Sequence, residues 1–181
     1  MGKLLITLCL PVLIGCQTSN RDLNMDSTDK IITVTAFLNC SPEVAFGYFS
    51  ENELLEKWLT AKADVVMEPG GKFELFWTPN DPDLTNNSTY GCKVLAVDQP
   101  NYLNIEWKGN AEQKSFMNSV RPLTNVTFIF TKIDNTRTKV TLVHTGWRPG
   151  EEWEAARLYF IKAWSGALKE LQTLVNEVGV G

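Results

Sequence analysis

Apolar positions change their period several times along the chain, and each change marks an element. From Lys30 to Leu38 they alternate, with Ile32, Val34, Ala36 and Leu38 on one face and threonines on the other, which predicts a half-buried strand. Ser41-Pro42-Glu43 then opens a helix: Ser41 suits the N-cap, Pro42 the first helical position and Glu43 the positive end of the dipole. Val44, Phe46 and Phe49 supply its apolar side. Ser50, with Glu53 three residues later, reads as a capping box for a second short helix carrying Leu54, Leu55, Trp58 and Leu59. After Lys62 the period becomes two, predicting strands at Ala63 to Met67, Lys72 to Trp77, Tyr90 to Val97, Tyr102 to Trp107, Val126 to Lys132 and Thr138 to Thr145. Turn residues such as Pro69-Gly70-Gly71 and Asp98-Gln99-Pro100-Asn101 separate them, and such short links imply antiparallel pairing. The exception is Lys108 to Thr124, a long polar connection holding Phe116 and Met117, which reads as a lid or a mobile flap. From about Gly150 to Val178, Trp153, Ala156, Phe160, Trp164, Leu168, Leu171, Val175 and Val178 recur at steps of three and four, predicting one long amphipathic helix with Arg157, Lys162, Lys169, Gln172 and Glu177 on its other side.

The beginning of the chain carries a different signal. Met1 to Lys3 is a short cationic start and Leu4 to Ile14 an apolar stretch of eleven residues, too short to span a bilayer but fitting a secretory signal. Leu13-Ile14-Gly15-Cys16 resembles the lipobox of bacterial lipoproteins, which implies cleavage before Cys16 and diacylglycerol on its sulfur. A buried N-terminal helix is the alternative, opposed by Pro11 and by the polar run that follows. Residues 1–15 are thus expected to be a signal peptide, 16–29 the lipidated cysteine with a flexible tether, and 30–179 the folded domain. Gln17 lacks the acidic character that favours inner-membrane retention, so the expected address is the outer membrane, facing the periplasm, if the cell has one. Cys40 and Cys92 remain in the domain, and nothing in the sequence brings them within disulfide reach. Apolar residues at 44% and charged residues at 21% describe a globular chain with a real core, and a net charge of −4 argues against nonspecific duplex binding.

An interrupted run of strands closed by a long helix is an α+β architecture, and several local marks narrow it. These are Ser41-Pro42-Glu43-Val44-Ala45-Phe46, the Trp58 helix, Glu68-Pro69-Gly70-Gly71-Lys72-Phe73, Val94 to Pro100, Leu103 to Trp107, His144-Thr145-Gly146-Trp147, and Trp164 with Leu168 and Leu171. With them the chain resembles the START-related SRPBCC superfamily, and within it the branch named for the activator of the ninety-kilodalton heat-shock protein ATPase. The resemblance implies a helix-grip fold: a curved antiparallel sheet of about seven strands around the C-terminal helix, with two short helices after the first strand. It implies no particular activity, because one fold hosts many tasks.

Candidate chemistry is sparse. His144 is the single histidine, which removes the two-histidine zinc motif, and no metal site or cofactor is expected. Strand parity puts His144 inward with Val140 and Leu142, where a functional and a merely hydrogen-bonded imidazole look alike. Glu151 and Glu152 suit the start of a helix, while Asp81 and Asp83 lie in a turn without EF-hand spacing. No catalytic constellation emerges. The space between sheet and helix is the remaining candidate, with Phe73, Leu75, Trp77, Leu103, Ile105, Trp107, Phe128, Phe130 and Leu142 facing Trp153, Phe160 and Trp164, and His144 as a polar contact. Such a lining suits a pocket for a small hydrophobic molecule and equally a filled core. Three readings follow: a membrane-anchored module binding such a molecule, a protein-interaction domain using exposed Phe76 and the Phe116-Met117 flap, or a cyclase- or hydrolase-type enzyme relying on His144.

Overall fold

The computed structural model describes residues 30–178. The signal, Cys16, the tether and Gly179 lie outside the described residues. In chain order the elements are β1 (Ile32–Leu38), α1 (Pro42–Ser50), α2 (Asn52–Leu55), β2 (Lys62–Val65), β3 (Phe73–Phe76), β4 (Val94–Asp98), β5 (Tyr102–Trp107), α3 (Lys114–Met117), β6 (Thr124–Lys132), β7 (Thr138–Thr145) and α4 (Glu151–Val178). Five strands form one antiparallel sheet in the order β1-β7-β6-β5-β4, and β2 pairs with β3. This is an α+β, helix-grip arrangement.

The two sheets meet at a single bridge, Lys72 with Lys93, supported by Phe73 N–H to the Cys92 carbonyl at 2.9 Å and Val94 N–H to the Gly71 carbonyl at 2.8 Å. The strand predicted from Tyr90 begins only at Val94. The reason lies in Thr89, whose hydroxyl accepts the Leu75 N–H at 2.6 Å and lies 3.3 Å from the Leu75 carbonyl. A side chain thereby does what a neighbouring strand would do, and the backbone around it is free to turn. Gly71 is needed just before β3, because a Cβ there would lie 2.3 Å from the Val66 carbonyl oxygen.

The start of α1 follows its local signals: Pro42 occupies the first turn, and the Ser41 hydroxyl accepts the Val44 N–H at 3.5 Å, the long end of the range. The capping box at Ser50 does not form. Ser50 is the last residue of α1 and its hydroxyl donates back to the Phe46 carbonyl at 3.0 Å, leaving Glu51 to precede α2. Val44 also differs from expectation, pointing to solvent while Phe46 and Phe49 are buried.

Along α4 the residues at steps of three and four are the buried ones, from Trp153 through Ala156, Phe160, Trp164, Leu168 and Leu171 to Val175. Polar residues beside that stripe seat the helix on β1, an edge strand. Gln172 Oε1 accepts the Phe37 N–H and Asn176 Oδ1 the Asn39 N–H, both at 2.9 Å. Unpaired edge groups that would otherwise invite another strand are thus covered. Between helix and sheet, Phe49 is the hub of the aromatic interior, with ring centroids 4.6 Å from Phe128, 5.1 Å from Trp58 and 5.2 Å from Phe130.

Candidate functional site

The long helix does not meet the sheet evenly. A cavity of about 730 Å³, half open to solvent, lies along α4 beside Ala163, Gly166 and Ala167, of which Ala163 and Gly166 are themselves exposed. Its far wall comes from Trp77 and Thr78 after β3, from Asn86, Asn87 and Ser88 in the following loop, and from Trp107 at the end of β5. Trp58 and Leu59 border it from the segment after α2, and Asn110 to Glu112 from the segment after β5. A volume of this size suits one drug-sized molecule. Trp107 lies 4.7 Å from Trp164 and 6.2 Å from Trp77, centroid to centroid; Trp107 and Trp164 are buried, and Trp77 is the indole that stands open. The Trp107 indole N–H is buried and has no partner among the described residues.

Around these indoles the wall is polar, and its side chains are held in place. Asn87 accepts the Thr78 N–H at 3.1 Å and donates to the Leu84 carbonyl at 3.1 Å. Asp81 accepts the Asp83 N–H and the Asn86 amide, each at 2.8 Å, and these contacts hold its carboxyl below the usual range. The Lys114 ammonium reaches across from α3 to Asp83 and Asn86, both at 2.6 Å, and to Thr85 at 3.1 Å. With Lys114 and the Thr85 contacts beside it, Asp83 is pulled down to about 2. One lysine therefore ties the segment after β5 to the loop after β3, on two sides of the cavity. The Lys108 to Thr124 connection is accordingly an anchored structure, not a free flap: it contains α3, Met117 is buried, and Phe116 packs 5.3 Å from Trp153.

Residues 39–176 match the family described as Activator of Hsp90 ATPase homolog 1-like protein. The chain belongs to that family. Among solved structures, a Mesorhizobium loti protein superimposes with a TM-score of 0.62 at 22% identity, covering 82% of this chain and 98% of its own. The Aha1 dimer from Colwellia psychrerythraea gives 0.60 at 19% identity, covering 81% and 96%. An Hsp90 activator from Plasmodium falciparum gives 0.57 at 20% identity, covering 81% and 96%. Identities this low establish a shared fold and nothing finer. No curated protein sequence matches the chain.

Within this family member, the residues expected to line a hollow divide into two groups. Trp77, Trp107, Phe160 and Trp164 border the cavity. Phe73, Leu75, Leu103, Ile105, Phe128, Phe130, Leu142, His144 and Trp153 are buried in the packed interior and are not part of its wall. Residues that sequence reasoning passed over complete the wall, including Trp58, Asn87, Asn110, Ala163, Gly166 and Ala167. A glycine between two alanines on one face of a predicted helix was the available signal, since glycine inside a helix costs about 1 kcal/mol relative to alanine and asks for a reason. Phe76, expected as an exposed contact, is buried and packs near Tyr90 with ring centroids 6.3 Å apart.

His144 occupies the filled end of the interior. The Trp164 indole N–H donates to its Nδ1 at 3.2 Å, so Nδ1 is the bare nitrogen and Nε2 carries the proton toward the Thr124 hydroxyl at 3.0 Å. Thr124 in turn donates to the Trp107 carbonyl at 2.9 Å. Burial pushes the imidazole down to about 3, and the ring is neutral at physiological pH. Burial also raises the thiols, Cys40 to about 11 and Cys92 to about 12, so neither is a thiolate at neutral pH. Among the described residues no group of three His, Cys, Asp or Glu side chains is placed to hold a metal ion.

Proposed function

We propose that this domain is a non-enzymatic binding module, carried on a bacterial membrane by acylated Cys16, which holds a small, largely apolar ring compound between the sheet and α4. The cavity beside Gly166 is the observation that carries the reading. Exposed Trp77 and the apolar wall beside it supply apolar area, and a ligand that buries about 200 Å² of apolar surface gains roughly 5 kcal/mol before the costs of association. Its side walls, pinned by Asn87 and Lys114, are set before a ligand arrives. Binding is favoured over catalysis because both ring nitrogens of the single histidine are engaged away from the cavity.

Native mass spectrometry of the full-length protein after mild extraction tests the cavity, with an adduct expected in the natural protein and lost in Gly166→Trp. An adduct that survives Gly166→Trp would put the ligand elsewhere. Labelled palmitate tests the anchor: incorporation is expected and should vanish in Cys16→Ser, whereas an unlabelled natural protein would remove the membrane part of the proposal.

A further inference from the structure

The cavity's charges are unequal, and this says what kind of ring compound it takes. Asp81, Glu112 and Glu170 border it against a single cation, Lys162. Lys114, just outside, is already matched by Asp83 at 2.6 Å and adds no free positive charge. Glu112 and Glu170 are exposed and their carboxylates make no side-chain hydrogen bond or ion pair among the described residues, so they are available to a ligand. They also lie on different walls, Glu112 in the segment after β5 and Glu170 on α4. Of the four tryptophans that border the same cavity, Trp58, Trp107 and Trp164 are buried and Trp77, 39% exposed, presents an open indole. Indole is the aromatic side chain that best attracts a cation over its face, and nearby carboxylates strengthen that attraction. An anionic amphiphile such as a fatty-acid carboxylate would enter against this field.

From the exposed Trp77 indole and the two free carboxylates that border the same cavity we infer that it selects organic cations, namely flat aromatic or alicyclic compounds bearing a protonated amine or quaternary ammonium group. The inference rests on the proposal that the cavity binds a ring compound, and goes beyond it by assigning the ligand's charge. The ring stacks on Trp77, and the cationic group lies toward Glu112 or Glu170.

Three probes of one shape separate the two ideas: naphthylmethylammonium, naphthylmethanol and naphthoate, titrated calorimetrically into the natural protein at low ionic strength. The cation is expected to bind about tenfold more tightly than the anion, with the alcohol between them. In the double variant Glu112→Gln, Glu170→Gln the ratio of cation to anion affinity should fall to within about threefold, and in Lys162→Gln it should rise. Both sets of substitutions are on exposed side chains, and the cooperative urea unfolding of each variant checks that it is folded. Equal binding of all three probes would overturn the charge assignment while leaving the cavity proposal standing. Binding of none of them would overturn both.

Discussion

Two flanks of the same stretch of α4 meet their surroundings with opposite results. Around Phe160 and Trp164 the helix presents large aromatic rings that close on His144, with centroids 5.4 Å and 6.4 Å away, and the interior is solid. On the adjoining flank Ala163, Gly166 and Ala167 present almost nothing, and the cavity lies there, reaching the edges of Phe160 and Trp164 and bordered also by Trp77 and Trp107. The filled end has its polar groups paired in a chain from Trp164 through His144 and Thr124 to the Trp107 carbonyl. At the hollow end free carboxylates remain. The difference teaches that this fold separates holding itself together from holding something else, and does so by side-chain size along one helix.

Emptying the filled end is the harshest way to break that contrast. Phe49→Ala should destabilise the domain by about 3–5 kcal/mol in urea denaturation, because it removes a ring that three others surround. A cost below about 1 kcal/mol would mean that the aromatic interior is loosely packed.

Acid attacks the same end by a different route. The folded state holds His144 near 3, well below the 6.5 of a free imidazole, so the unfolded chain takes up the proton first and stability falls as pH drops through that interval. Asp83, Asp134 and Glu154 are also depressed, each to about 2, but they begin to matter only in the carboxylate range. Between pH 6.5 and 4.5 the loss should therefore come mainly from the imidazole, at about 1.4 kcal/mol per pH unit. His144→Leu should be less stable at pH 7, since it strands the Trp164 N–H, and should show a nearly flat profile over the same interval. An unchanged slope in that variant would assign the acid sensitivity to other groups.

At the hollow end the predicted change has the opposite sign. A Cβ on Gly166 meets no atom within 4 Å, so Gly166→Ala should stabilise the protein by about 0.5–1 kcal/mol through helix propensity alone. A destabilised variant would mean that the cavity is narrower than its walls indicate. The smallest expected effect belongs to Lys114→Ala. Its ion pair with Asp83 is largely exposed and should contribute below about 1 kcal/mol to global stability. Amide exchange in Asn110 to Asn118 should nonetheless speed up, because the segment loses its tie to the loop after β3. Unaltered exchange there would show that Asn118, whose side chain bonds Gly109, is sufficient to hold it.

Local periodicity carried the elements well. The alternation in β5, β6 and β7 put Leu103, Ile105, Phe128, Leu142 and His144 inside, where the structure has them. The three- and four-residue steps of α4 gave its buried stripe correctly from Trp153 to Val175. What failed were features in which a side chain replaces a backbone partner or a neighbour comes from far along the chain. Thr89 ends the ladder at Leu75, and Gln172 and Asn176, which look like solvent-facing polar residues, cover the edge of β1. Met117 and Phe76 resembled surface contacts because nothing near them in sequence reveals what buries them.

Local sequence patterns thus gave the order and type of the elements other than α3, the family, and which face of the strands and of α4 turns inward, because burial on a strand or helix repeats with a local period. Only the tertiary structure decided where the interior is filled and where it is hollow. That outcome depends on which side-chain volumes distant segments bring to one place, as Trp77, Trp107 and Gly166 are brought to one cavity, and no local pattern encodes their sum.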